Sequence, residues 1–429
     1  MIRSDFSVQL SPKFKVLSDD QIREIHYATL EVLERTGVKI DSEEAKELLY
    51  SNGAYVDNNG MVKIPGGLIE QAINSAPSRA VVCGGSSSSP FVFDPYTRQL
   101  RQCDSKDVAN LAKINDYLPN MDFIMPEGHS VDVEAHLEYR VEVRELLKNT
   151  KLPILLQSPV KLQYFDDIIE MAAIVAGGYD ELKKKPNIIS YTEPISPLYH
   201  SSGLDVAMKA AQYGLPVVYT SMPIGGATAP VTFSGTLVQN NAEYLSGLAV
   251  IQLLKKGHPC IYGGIPNPLD MASTFYPYGA PELALLCAAM TDIGHYYGMP
   301  VFGTAGISEG KTIDAQVGIE LTWSLLYAAL SGANLIHDIG FYDANNVVSM
   351  ETHILTDEII DGIKVLCSGI DVSPEHLAVD VINKVGSQGN YVAEEHTYRY
   401  FREVWRTKYL DRTPSFEAWE LKGKPMLFD

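Results

Sequence analysis

Acids, tyrosines and glycines recur along this chain in short clusters, each following an apolar run. They are Pro126-Glu127-Gly128-His129, Gln157-Ser158-Pro159, Tyr191-Thr192-Glu193-Pro194, Tyr219-Thr220-Ser221-Met222-Pro223, Tyr262-Gly263-Gly264-Ile265-Pro266, Gly303-Thr304-Ala305-Gly306 with Ser308-Glu309-Gly310-Lys311, and His337-Asp338 with Phe341-Tyr342 beyond. Carboxylates and imidazoles can move protons or hold charge, and tyrosine faces can hold a cation. Each residue alone has an ordinary structural use, since a buried tyrosine finds a hydrogen-bond partner and a rim carboxylate pairs with an arginine. Their repetition in one relative position makes the set a candidate site.

Other chemistries lack their motifs. No G-x-G-x-x-G opens a helix after the first run, no phosphate loop ends in Gly-Lys-Ser/Thr, and no G-x-S-x-G elbow is present. His258-x-Cys260 has the form of half a zinc site. It precedes its apolar run instead of following it, which is the wrong end for a site shared with the other clusters.

The apolar runs that must position these groups are 123–125, 154–156, 188–191, 217–219, 260–262, 301–302 and 335–339, with an eighth expected at 378–385. Their spacing of about 30–40 residues suits strand–loop–helix units. The class is therefore α/β, and seven or eight such units favour a closed (β/α)8 TIM barrel. In that fold reactive groups sit at the C-terminal strand ends, where the clusters lie.

Residues 1–90 read as a mainly helical N-terminal extension, and 91–429 as the barrel with C-terminal helices. Ser18 and Gln21 make a capping-box pattern. Ile22, Ile25, Leu30 and Leu33 follow as a helical stripe ending at Gly37. A second helix is expected over 42–51, a short strand over 61–64 and a third helix over 67–76. The run 84–90, rich in Gly and Ser, reads as a flexible link.

A formal net charge of −19 argues against a nucleic-acid surface and for attraction of cations. No apolar run reaches the roughly 20 residues that span a bilayer. The stretch 1–12 has no long apolar core, so no secretory leader is expected. Five widely spaced cysteines read as reduced thiols in a cytoplasm. The 24 tyrosines supply material for cation-binding cages.

An ordered set of segments then resembles the trimethylamine methyltransferase family: Glu34-Arg35-Thr36-Gly37-Val38, 223–230, Asp314-Ala315-Gln316, 328–333, Glu395-His396-Thr397 through Phe401-Arg402 to Tyr409-Leu410-Asp411-Arg412, and Glu417-Ala418-Trp419-Glu420. The resemblance is collinear over nearly the whole chain. It departs around 86–89, where the family has more sequence, and after Trp419, where members continue with a helix. It implies a TIM barrel whose rim meets a separate corrinoid protein. Members acting on trimethylamine carry pyrrolysine in the loop after the sixth strand, near 308–314. Here that loop reads Ser-Glu-Gly-Lys-Thr-Ile-Asp, as in the branch that resembles quaternary-amine demethylases.

Loss of methyl from a quaternary ammonium to Co(I) releases a neutral tertiary amine, so no proton on the leaving nitrogen is needed. The protein's task is to hold one N-methyl in line with the acceptor. Aromatic faces would hold the trimethylammonium head. The candidates are Tyr191, Tyr219, Tyr262, Phe275, Tyr276, Phe341 and Tyr342. A betaine carboxylate would need donors, for which His129, His337, Gln316 and the amides near Gly225-Gly226 are candidates. Glu193, Glu309 and His337 are the expected catalytic groups.

The D-x-H-x-x-G pattern of corrinoid carriers is missing, so the chain is expected to bind no metal and no cofactor of its own. The methyl acceptor is expected to arrive as Co(I) corrinoid on a partner. Glycine betaine is the favoured substrate, with proline betaine, carnitine or butyrobetaine as alternatives, and a homo-oligomer is expected. Two other classes stay open: a non-catalytic betaine-binding barrel, and a metal-dependent lyase or hydrolase using Glu127, His129 and Glu193.

Overall fold

The computed structural model describes residues 14–76, 82–86, 89–157, 162–371 and 373–425. The expectations for 1–12, for Ser87 and Ser88, and for Ser158 and Pro159 lie outside them. Two compact units divide the chain, Phe14–Asp357 and a second that begins at Glu358.

Helix Asp19–Arg35 starts where the sequence places it. Ser18 accepts from the Gln21 amide and Gln21 returns the bond to the Ser18 amide, so two otherwise orphaned donors are satisfied. Helices Glu43–Ser51 and Gly66–Ser75 follow, with the short strand Val62–Lys63 between them. All three helices pack on the long helix Phe233–Leu254. That helix is buried on nearly every side, as its continuous apolar composition requires.

Seven parallel strands form the main sheet: β1 Val82–Gly85, β2 Ile154–Gln157, β3 Ile188–Thr192, β4 Val217–Tyr219, β5 Cys260–Gly263, β6 Val301–Thr304 and β7 Leu335–Ile339. Their spatial order is β1-β7-β6-β5-β4-β3-β2. Parallel bridges Gly84↔Phe123 and Ile124↔Ile154 join the two edges through residues 123–124. Eight chain positions thus close a ring, and a helix follows each. This is the expected (β/α)8 barrel, with two changes in its bookkeeping. The ring begins one unit earlier than the sequence suggests, at β1, whose last two residues, Gly84 and Gly85, open the run read as a link. The stretch expected as an eighth strand is the helix Val379–Val385. Val379 and Ile382 there have helical spacing and are exposed, and the ring position is already filled by β1.

Side chains alternate between the two faces of each strand. Ile154, Leu156, Ile188, Val217, Tyr219, Cys260, Tyr262 and Val301 pack outward, against the helices. Phe123, Met125, Leu155, Tyr191, Val218, Ile261, Phe302 and Leu335 form a separate cluster that fills the ring. Beyond the C-terminal ends of β1 and β7, a four-stranded sheet orders Phe341–Tyr342, Val347–Val348, Phe91–Phe93 and Leu100–Gln102. Within it Phe341 packs on Val92, Cys103, Ile307 and Val348. Among the described residues no helix is long and apolar enough to cross a membrane.

In the second unit, Trp405 donates its indole N–H to Asp361 at 2.8 Å, and the Arg412 guanidinium lies 4.9 Å from its ring centre. Glu358 accepts the Lys408 amide at 2.9 Å.

Candidate active site

The cluster inside the ring is the floor on which the polar groups stand. At its top Phe302, Tyr191 and His337 face one another, with ring centres 4.1 Å apart for Phe302–His337 and 5.3 Å for Tyr191–Phe302. Tyr191 on β3 and Glu193, the residue just past its end, are two places apart and so point to the same side. The Tyr191 hydroxyl donates to Glu193 Oε1. Burial, with repulsion from Asp338, pushes the Glu193 carboxyl above its usual range, while the Tyr191 bond opposes the rise. Burial and the two nearby carboxylates hold Tyr191 firmly in its phenol form.

β7 departs from regular alternation. Its register against β1 shifts between Ile336 and Ile339, and Asp338 has φ +81°, a left-handed conformation that a non-glycine residue rarely adopts. Such irregularities re-aim side chains. The consecutive residues His337 and Asp338 consequently face each other, with Nε2 to Oδ1 at 3.1 Å. Ser86, just past β1, also donates to Asp338 Oδ1. Asp338 is 2 % exposed, and its Oδ2 meets no hydrogen-bond donor among the described residues. His337 Nδ1 lies 3.2 Å from the Gly303 carbonyl. Burial pulls His337 below its usual pKa, with Asp338 opposing.

The loop after β5 brings the remaining aromatics. Tyr276 donates to the Ile265 carbonyl at 2.6 Å and meets Tyr278 edge-on at 4.8 Å. Both rings lie in the electrostatic field of Asp338 and Glu193, and Tyr278 also feels Glu309. Burial raises Glu309, which accepts the Gly279 amide at 3.1 Å. Glu320 ties the loop after β6 in place. It accepts Ser308 at 2.5 Å, the Glu309 amide at 2.8 Å and Gln316 Nε2 at 2.9 Å.

Tyr191, Glu193, Tyr276, Glu309 and His337 therefore converge. Tyr219 and Tyr262 do not, because the strand phase that turns Val218 and Ile261 inward turns them to the helix layer. There Tyr219 bonds His200 at 2.6 Å and Tyr262 bonds Asn241 at 3.2 Å. Phe341 and Tyr342 are buried in the small sheet. Phe275, 39 % exposed, lies outside the pair Tyr276–Tyr278. Gln316 is exposed and engaged with Glu320.

Three residues of the cluster are absent from the sequence-derived set: Ser86, Tyr278 and Asp338. Tyr278 was within reach, since Tyr276-Pro277-Tyr278 repeats an aromatic at spacing two. Nothing in the sequence announces the bulge that turns Asp338.

Glu127 has a different partner from the one a metal site would give it. It faces His353 Nε2 at 3.2 Å with both side chains fully buried, and Asn115 donates to it at 3.1 Å. Burial raises the Glu127 carboxyl. The pair needs glycines beside it. A Cβ at Gly85 would lie 1.7 Å from Glu127 Oε1, and one at Gly340 would lie 2.0 Å from the His353 ring. Among the described residues, one group could hold a metal ion: His129, Glu138 and Glu142. His129 Nδ1 is 2.9 Å from Glu138, and burial raises Glu142 to about 7. His258, the half zinc motif, instead bonds the Leu215 carbonyl at 2.8 Å.

Comparison with known proteins follows the same line. Residues 4–427 match the family model described as trimethylamine methyltransferase (MTTB). The trimethylamine methyltransferase of Desulfitobacterium hafniense (strain DSM 10664 / DCB-2) is 35 % identical over 427 residues, covering 95 % of this chain and 85 % of that protein. The glycine betaine methyltransferase of Desulfitobacterium hafniense (strain Y51) is 30 % identical over 434 residues, covering 96 % and 89 %. The crystal structure of the Methanosarcina barkeri monomethylamine methyltransferase superposes with a TM-score of 0.56 at 14 % identity, over 98 % of this chain and 88 % of that one. At that identity the likeness speaks to the fold.

Proposed function

Since the chain belongs to the trimethylamine methyltransferase family, and is thereby a methyltransferase acting on a methylated amine, we propose that it takes a methyl group from a small quaternary amine, with glycine betaine the first candidate, and passes it to Co(I) of a corrinoid on a separate protein. One observation carries the reading. Tyr191, Tyr276 and Tyr278 gather with Glu193 and Glu309 at the C-terminal rim, an assembly of aromatic faces and acids that suits a cation without N–H donors.

In the transfer the N–CH3 bond breaks, the nitrogen keeps the electron pair and leaves as a neutral tertiary amine, and the methyl group joins cobalt. The chain's residues serve to bind and orient. The floor of Phe302 and Leu335 keeps water from below, and the tyrosines fix the direction in which one methyl points outward. His337 stands beside Asp338, with Nε2 facing the carboxylate. The corrinoid is a co-substrate, and no chain residue is assigned to ligate it.

A second reading concerns the substrate's other end. Each side chain expected to grip a betaine carboxylate already faces an acid of the chain: His129 with Glu138, His337 with Asp338, and Gln316 with Glu320. That pattern favours a quaternary amine with no carboxylate of its own. Methylation of Co(I) cobalamin, followed by absorbance, tests both readings. The panel is glycine betaine, proline betaine, carnitine, butyrobetaine, choline, tetramethylammonium and trimethylamine at equal concentration. Turnover of trimethylamine at the rate of the best quaternary amine would overturn the proposal.

A further inference from the structure

We propose that the free carboxylate oxygen of Asp338 is the counter-charge for the substrate's ammonium head, which makes Asp338 a substrate-binding residue and the selector for positive charge. The inference rests on the methylated-amine reading and adds to it the group that recognises the charge.

Three independent features point the same way. First, the carboxylate is built to stand still. Oδ1 accepts from Ser86 and lies 3.1 Å from His337 Nε2, so the side chain is held from two different strands. Second, the orientation is bought with backbone strain, at φ +81° within a register shift. Regular alternation would turn residue 338 away from residue 337, and rare conformations of this kind cluster at functional sites. Third, Oδ2 is buried with no donor among the described residues. A buried acid oxygen with no partner is costly, and the described neighbours spend their donors elsewhere. Tyr191 gives its hydroxyl proton to Glu193, and Tyr276 gives its own to a backbone carbonyl.

A quaternary ammonium suits that vacancy. Its positive charge is spread over the methyl hydrogens, so it satisfies an anion by proximity without needing a directed N–H bond. The aromatic faces of Tyr191, Tyr276 and Tyr278, all within the field of Asp338, would surround the remaining methyls. Glu193 and Glu309 supply further negative potential, but each accepts its bond through Oε1 and is only partly buried. Among the described residues, Asp338 is the acid of the cluster whose second oxygen is buried without a donor.

The test compares choline with 3,3-dimethyl-1-butanol, which has the same shape but carbon in place of the charged nitrogen. Binding to the full chain is measured by calorimetry, without corrinoid, for wild type, Asp338→Asn and Ser86→Ala. Wild type should prefer the cation by about 30-fold or more, as a desolvated cation contact implies. In Asp338→Asn the preference should fall about tenfold while affinity for the neutral alcohol is kept, a change of ratio that mere loosening of the cavity would not give. Ser86→Ala keeps the charge but loses its tether, and should reduce the preference less. An unchanged ratio in Asp338→Asn overturns the proposal. If that variant does not fold, an unchanged ratio in Ser86→Ala overturns it. Should wild type bind neither choline nor any quaternary amine of the panel, the methylated-amine reading itself fails.

Discussion

Tyr191 donates its phenolic hydrogen bond to Glu193, two places on and just past the end of β3, and the two side chains stand together above the inner face of the ring. The bond favours the ionised carboxylate against burial, which favours the acid. Replacing Tyr191 by Phe removes the donor. A hydrogen bond to a charged group favours the ionised form, so the Glu193 pKa should climb further. The midpoint of the pH profile for substrate binding should move up with it. A midpoint that stays put would show that Glu193 does not titrate in binding.

Glu193 also makes binding itself pH-dependent. Its pKa is raised in the free protein, and a bound cation favours the carboxylate. Binding should therefore release protons and tighten as pH rises through the raised range of Glu193. Calorimetry in two buffers of different ionisation heat measures this directly. Equal apparent enthalpies in both buffers would contradict it.

Aromatic variants should separate by strand face. Tyr276→Ala and Tyr278→Ala should each weaken quaternary-amine binding roughly tenfold, the equivalent of ~1.4 kcal/mol. Tyr219→Phe and Tyr262→Phe remove hydrogen bonds to His200 and Asn241 in the helix layer. Each should lower stability by about 1 kcal/mol and leave binding unchanged. Denaturant unfolding alongside titration reads both, and loss of binding in Tyr219→Phe with the fold intact would mean the inner face is misassigned.

The buried Glu127–His353 pair predicts a large, purely structural effect. His353→Ala leaves Glu127 without its counter-charge in a fully buried place, at a cost of about 3–5 kcal/mol. Glu127→Gln should cost less, because His353 can go neutral and bond the amide. Urea unfolding of the two variants checks the order, and equal losses would show that the charge of Glu127 is not what the pair serves.

Much of this was legible in the chain. Ser18 and Gln21 mark the first helix because a cap satisfies donors locally, with no help from the rest of the fold. The strand spacing discloses the barrel, and the clusters after the strands disclose the rim. The phase of each strand was not legible. Both faces of a barrel strand are buried, so Val218 and Tyr219 are equally at home on either side. β1 escaped notice because it is four residues long, ends in Gly-Gly and is followed by serines, a composition that resembles a linker. Asp338 was visible as a residue of the seventh cluster, but its direction depends on a bulge that pairing with β1 creates. Val379–Val385 carries a β-branched composition that suits a strand in isolation, and ring closure elsewhere left it no edge to join.

Ring closure has a bearing on how the chain reaches its fold. Val82 pairs with Leu335 and Gly84 with Phe123, so β1 needs a neighbour that emerges early and another that emerges only after nearly the whole barrel. Contacts of such long sequence separation form late, after the entropy of closing the intervening chain has been met. Until β7 arrives, β1 and β6 would each present an open backbone edge. Ser86 and Asp338 lie on either side of that last seam, so the cation site would be assembled in the same event that seals the barrel, and a nascent chain cut short before β7 could fold its helices yet bind no substrate.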